Sequence, residues 1–320
     1  MNNQVFAHWF SLYLVFILFA GHFSYSFFSP GETGYNFLKL GIGARPVAMG
    51  NAFTAVGDDA NSLFWNPGGM GISQSCDGTL MIMNLLSSVT YGAVGIKSSI
   101  GRHFATGIGG ALLSAKDTRR DELGNEIGEY YFNNYLLSFG FAVSPGQSLS
   151  FGGALKGVGS RIDTFSSYSL AMDAGVILSP NRHLFLGSCL RDLGTPQEFI
   201  QERDPMPTSL RLGAAYKIPI LIHQLLVSSD LIFYLDYQPI FAGGGEFILK
   251  DVPKKDEYFA IRAGYSSGYH FRSEQRLSFG IGYGKKVAYR TYLVIDATYF
   301  DYGYLGSQER ISVSLKWGAE

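Results

Sequence analysis

From residue 77 onward, apolar and polar positions alternate along the chain with a period of two. In 310–317, Ile311, Val313, Leu315 and Trp317 share one face, and Arg310, Ser312, Ser314 and Lys316 share the other. In 209–218, Leu210, Leu212, Ala214, Tyr216 and Ile218 oppose Ser209, Arg211, Gly213, Ala215 and Lys217. In 276–283, Leu277, Phe279, Ile281 and Tyr283 oppose an arginine, a serine and two glycines. One apolar face at period two marks a half-buried strand. Fourteen such segments are predicted, at about 79–86, 88–98, 103–115, 132–144, 148–160, 168–179, 183–193, 207–218, 224–235, 241–250, 257–266, 276–286, 290–302 and 309–317.

The polar faces are small and glycine-rich, which suits a crowded lumen better than a sandwich surface in bulk water. An even strand number is what a closed single-chain barrel needs. Ser144-Pro145-Gly146-Gln147 and Ser179-Pro180-Asn181-Arg182 read as tight turns. Longer, charged connections are expected at 116–131, 161–167, 194–206 and 267–275. Short turns alternating with long loops is the outer-membrane pattern, with the first strand starting at the periplasmic side. The expected fold class is therefore all-β, a fourteen-stranded antiparallel transmembrane β-barrel over 77–320, in the outer membrane of a Gram-negative-type bacterium and surrounded by its lipids. Its face assignment puts Lys156, Asp173, Arg211, Asp230, Arg262, Arg276, Asp296 and Arg310 in the lumen, where opposite charges can pair. Leu136, Val158, Ile177 and Val294 are also assigned inward.

Residues 31–72 do not alternate. They are rich in glycine and apolar residues, and Asp58-Asp59 is expected to cap a short helix through Ser62-Leu63-Phe64 that Asn66-Pro67 ends. Such a segment, taken as 27–76, fits a plug inside the lumen. Residues 1–26 read as an export signal: Trp9–Ala20 is apolar and Ser24 and Ser26 precede Phe27, although Met1–His8 holds no Lys or Arg.

Composition agrees. Charged residues are only 16%, and the 25 Phe, 20 Tyr and 3 Trp make up 15%. Such a chain is not disordered. Beyond the first twenty-odd residues, no apolar run approaches the ~20 residues of a spanning helix. A net charge of −1 gives no footprint for nucleic acid. Cys76 and Cys189 read as lone thiols, with a single bridge as the other reading. His103, His183 and His223 fall in periplasmic connections with no metal spacing. No cofactor or metal is implied. Gly264-Tyr265-Ser266-Ser267-Gly268, with His270 nearby, matches a nucleophile elbow by letter but lacks its strand-turn-helix setting. An outer-membrane lipid-modifying enzyme is thus a third reading, and the expectation is a protein that is not an enzyme.

The run Gly41–Asn61 (GIGARPVAMGNAFTAVGDDAN), ending in Trp65-Asn66-Pro67-Gly68-Gly69-Met70, resembles the amino-terminal motif of the PorV/PorQ family, itself similar to FadL-type transporters. The resemblance implies a hatch inside a fourteen-stranded barrel, with Asn66-Pro67-Gly68 standing where FadL-like proteins carry Asn-Pro-Ala. Hatch and gating candidates are Arg45, Asp58, Asp59, Asn66, Pro67 and Gly68. Two functions are implied. A PorV-like protein would take part in type IX secretion, with secreted cargo proteins and secretion-system components as partners. A FadL-like protein would take up long-chain fatty acids or other hydrophobic solutes.

Overall fold

The computed structural model describes residues 31–85, 89–267, 276–301 and 306–318. The expected export signal, 27–30 and all but Ser267 of the expected connection 267–275 lie outside the described residues. The strands are β1 (Cys76–Leu85), β2 (Val89–Ile100), β3 (Phe104–Arg120), β4 (Glu126–Gly146), β5 (Leu149–Ile162), β6 (Phe165–Leu178), β7 (Leu184–Gly194), β8 (Gln197–Phe199), β9 (Glu202–Asp204), β10 (Ser209–Ile220), β11 (His223–Tyr234), β12 (Ile240–Lys250), β13 (Glu257–Ser266), β14 (Arg276–Ala288), β15 (Thr291–Asp301) and β16 (Ser307–Trp317). All but β8 and β9 form one closed antiparallel barrel, sealed where β1 pairs β16 from Cys76–Trp317 to Asn84–Glu309. The wall has the fourteen strands that alternation predicts.

The faces also fall as the pattern requires. Leu80, Ile82, Leu137, Phe139, Leu155 and Ile281 are exposed on the outside, while the interleaved polar residues are buried. Such an exterior belongs in a bilayer. Cys76 and Cys189 are both free thiols.

Three connections differ from expectation. The stretch 116–131 is mostly strand, because β3 and β4 continue as a projecting ribbon that turns at 121–125. Lys116–Glu129 and Arg120–Glu126 ion pairs line it, and Asp121 Oδ1 accepts the Leu123 and Asn125 amides at its tip. Apolar alternation stops where the ribbon leaves the bilayer, although the ladder does not. The connection 161–167 shrinks to a two-residue turn with Asp163 at φ 55°. Within 194–206, β8 and β9 make a separate hairpin.

Residues 31–75 run inside the barrel from its extracellular to its periplasmic end. Their ordered pieces are short: α1 (Ala44–Ala48), α2 (Ser62–Trp65) and two 3-10 turns, Asn36–Lys39 and Pro67–Gly71. A chain so irregular leaves backbone groups unpaired, and buried ones must find partners. The inner wall supplies hydroxyls. Ser312 Oγ accepts the Ala44 amide, Thr298 Oγ1 donates to Ala44 O, and Ser278 Oγ donates to Ala48 O. Further round, Ser228 donates to Ala52 O, Ser150 to Gly68 O and Ser144 to Gly71 O. This is why the lumen face is written in Ser and Thr. The apolar core lies between segment and wall, around Phe53, Leu63, Phe64, Trp65 and Met70.

The helix α2 forms almost where expected, but its start is built differently. Asp59 Oδ1 accepts the Asn61 amide and Asp59 O accepts from Ser62, whereas Asp58 turns to Arg45. Asn66 is extended at φ −153°, as a residue before proline prefers, and ends the helix.

Candidate functional site

Arg45 organises the middle of the lumen. Its Nε and Nη2 each lie 2.8 Å from a Glu246 oxygen, and Nη1 reaches Asp58 at 2.6 Å and Asp59 at 2.9 Å. Arg262 shares the same Glu246 at 2.6 Å and reaches Asp296 at 2.7 Å. Three expected hatch residues and two expected lumen charges therefore meet in one network, tied together by Glu246. Glu246 was not singled out in the sequence, although it shares strand parity with inward Ala242 and Gly244.

Asn66-Pro67-Gly68 presses against the wall opposite. Asn66 Nδ2 donates to Thr54 O at 2.8 Å and to Val176 O at 3.2 Å, and Asn66 Oδ1 accepts the Gly68 amide. The wall is glycine here by necessity: a Cβ on Gly175 would collide with Asn66 Oδ1, and one on Gly152 with the Pro67 carbonyl group.

The remaining lumen charges all face inward and are buried. Asp230 Oδ2 accepts the Phe53 and Thr54 amides, each at 3.0 Å, and so binds the segment rather than another strand. Lys156 Nζ sits 2.6 Å from both Asp173 and Asp192. Arg211 donates to Tyr234 Oη and lies over the Trp65 ring, 5.2 Å from its centroid. Arg310 donates to Gly41 O and to Gln308. Arg276 is buried at the extracellular end of β14.

Asp192 and its neighbour Arg191 were missed for a physical reason. The β6–β7 register slips between Met172 and Ala174, so Asp173 faces two residues instead of one. Asp192 takes φ 57° and its amide bonds Asp173 Oδ1. The bulge turns both Arg191 and Asp192 inward, which strict alternation forbids. At the extracellular end, Lys39 and Asp236 were also missed. Lys39 Nζ lies 2.6 Å from Asp236 Oδ2 and 4.4 Å from the centroid of the Tyr237 ring, and Thr33 Oγ1 donates to the same oxygen. Burial draws the Lys39 ammonium below its ordinary pKa, against the pull of Asp236.

An open cavity of about 560 Å³ lies at the extracellular end, between this first part of the segment and strands β3–β5. Its apolar lining includes Tyr35, Phe37, Leu40, Leu113, Phe132 and Ile162. One edge is polar. Gln197 Oε1 accepts the Tyr35 amide there, and Ser160 Oγ is buried without a partner among the described residues. The four inward apolar positions expected from sequence do not form one route. Leu136 and Val158 pair one rung below this cavity, whereas Ile177 lies lower, against Gly57, and Val294 near the periplasmic end of β15.

The elbow-like serines belong to the wall. Ser267 Oγ accepts the Phe241 amide and Ser267 N–H bonds Phe241 O, which pins the end of β13 to β12. Gly268 and His270 lie outside the described residues. The three histidines sit at periplasmic turns, where His103 and His183 face the backbone oxygens of Ser144 and Lys217.

No family model matches the chain, and no curated protein does. Solved structures match along most of its length. A CymD monoaromatic hydrocarbon channel aligns with TM-score 0.64 and 11% identity over 86% of this chain and 96% of that one. The fold is that of the FadL-type barrels. The Pseudomonas putida toluene transporter TodX aligns with TM-score 0.57 and 11% identity over 91% and 99%, and a Pseudomonas aeruginosa FadL homologue with 0.55 and 8% over 84% and 96%. These matches support the FadL-type half of the expected resemblance. They give the PorV/PorQ half no support.

Proposed function

We propose that this protein is an outer-membrane channel for small hydrophobic solutes, which enter through the extracellular cavity and pass a hatch formed by residues 31–75. The cavity carries the reading. Its volume and mostly apolar lining, with a few polar groups at one edge, are those of a small-molecule site. Likeness of fold to monoaromatic hydrocarbon channels supports the same class of cargo. In this reading Arg45, Asp58 and Asp59 hold the hatch to the wall, Asn66-Pro67-Gly68 seats it, and the lumen charges keep it in register.

Uptake tests the reading. Cells producing the protein should accumulate labelled toluene or a long-chain fatty acid faster than cells producing an unrelated barrel. Equal rates for both solutes would remove it. A secretion role of the PorV kind rests on residues 41–70 alone, and its signature would be loss of surface proteins from a deletion strain.

A further inference from the structure

The two ends of the barrel carry opposite charge. With the projecting ribbon 116–131 included, the described extracellular connections hold ten carboxylates against the four cations Lys116, Arg119, Arg120 and Arg203. The periplasmic turns hold Arg102, Arg182, Lys254, Lys255 and Arg290 against Asp251 and Asp256. At the basic end opens a second cavity of about 680 Å³. Gly71, Ile72 and Gln74 of the luminal segment floor it, and its charged lining is Arg102, Arg182 and Lys217 beside His103. Among the described residues no carboxylate lines it. Arg102 and Arg182 are exposed and have no ion-pair partner among the described residues. Lys217 has one: its Nζ lies 3.4 Å from Asp58, which belongs to the Arg45 network. Both side chains of that pair stay partly exposed, at 23% and 22%.

We propose that this periplasmic cup docks an acidic peptide segment of a periplasmic protein, and that the hatch senses the docked segment through Lys217. The spacing of the cations favours a peptide over a single small anion. Arg102 stands at the β2–β3 turn and Arg182 at the β6–β7 turn, four strands apart, or about 19 Å along the wall at the usual strand spacing. Two turns so far apart suit an extended occupant better than one small anion. An extended chain advances about 3.3 Å per residue, so six or so residues with spaced carboxylates span the gap. Lys254, Lys255 and Arg290 carry the positive field beyond the cup, which steers an acidic partner toward it. A carboxylate that reaches Lys217 competes with Asp58. Asp58 then keeps Arg45 as its ion-pair partner, and the hatch loses its ion pair to β10, while Arg211 stays over the Trp65 ring.

The test uses the full chain in detergent micelles, with no solute present, so it stands apart from the uptake reading. A fluorescein-labelled eight-residue peptide of alternating Glu and Gly is titrated at low salt and followed by anisotropy. Saturable binding is expected, with Lys-Gly and Gly-Ser peptides binding at least tenfold more weakly. The paired changes Arg102→Gln and Arg182→Gln should weaken binding at least tenfold, and Arg203→Gln at the opposite end should not. Binding no tighter than that of the Gly-Ser peptide overturns the proposal, as does an equal loss from Arg203→Gln. Complete displacement by millimolar inorganic phosphate also overturns it, because the cup is then a small-anion site. Amide exchange across 57–72 should rise with peptide in the parent and not in Lys217→Gln; no rise in the parent overturns the coupling. A gel-mobility shift on boiling confirms that each variant is a folded barrel.

Discussion

Arg45 and Glu246 meet fork to fork, with both N–O distances at 2.8 Å and the Glu246 side chain wholly buried. The two residues lie 201 positions apart, one in the luminal segment and one in the wall. Their pairing joins the segment's own carboxylates, Asp58 and Asp59, to the wall's Arg262 and Asp296. Breaking such a pair by removing one partner costs about 3–5 kcal/mol, because the other charge stays buried and under-neutralised.

Arg45→Ala should therefore release the hatch rather than unfold the barrel, whose ladder closes without it. In planar bilayers the variant should conduct while the parent stays nearly silent. Arg45→Lys keeps the charge but loses the fork, and should fall between them. Equal conductance for parent and Arg45→Ala would show that this network does not hold the segment.

Asp230 holds the segment through two backbone amides. Asp230→Ala leaves the Phe53 and Thr54 N–H groups buried and unpaired, at about 1–3 kcal/mol each. Amide exchange at Phe53 and Thr54 should accelerate, and Asp230→Asn, which retains an acceptor oxygen, should be milder. Unchanged exchange in the alanine variant would mean that other contacts fix this turn.

Orientation of the faces has its own measurement. Leu155 is 66% exposed midway along β5, and Tyr168 is 78% exposed near the extracellular end of β6. Leu155→Arg should lower the unfolding free energy in lipid by about 2–4 kcal/mol, and Tyr168→Arg by about 0–1. Equal costs would contradict the membrane placement of the barrel.

Much of this was legible in the chain. Period-two alternation gave the strand number and nearly every strand within a few residues, because one face meets lipid and the other a polar, hydroxyl-rich lumen. Each of the eight charges it placed in the lumen is buried in the structure. What it could not show was partnership. Asp230 looked like a charge awaiting a cation and instead binds two amides of a segment with no period. Arg191 and Asp192 were hidden by a bulge, which breaks the parity rule used to find lumen residues. The outer cavity left no local signal, since Tyr35, Leu113 and Phe132 come from three separate stretches.

That cavity is also where solute size should be set. Leu113 is buried in its wall, and the half-buried Phe132 lines it as well. Leu113→Trp adds bulk to a space of about 560 Å³ without touching the Arg45 network. It should cut uptake of a single-ring hydrocarbon by about tenfold, which corresponds to about 1.4 kcal/mol. Phe132→Ala enlarges the same space and should shift preference toward a larger solute such as naphthalene. Competition uptake with the two labelled solutes reads both effects. If neither variant alters the ratio, the cavity does not select the cargo, and entry occurs elsewhere on the barrel.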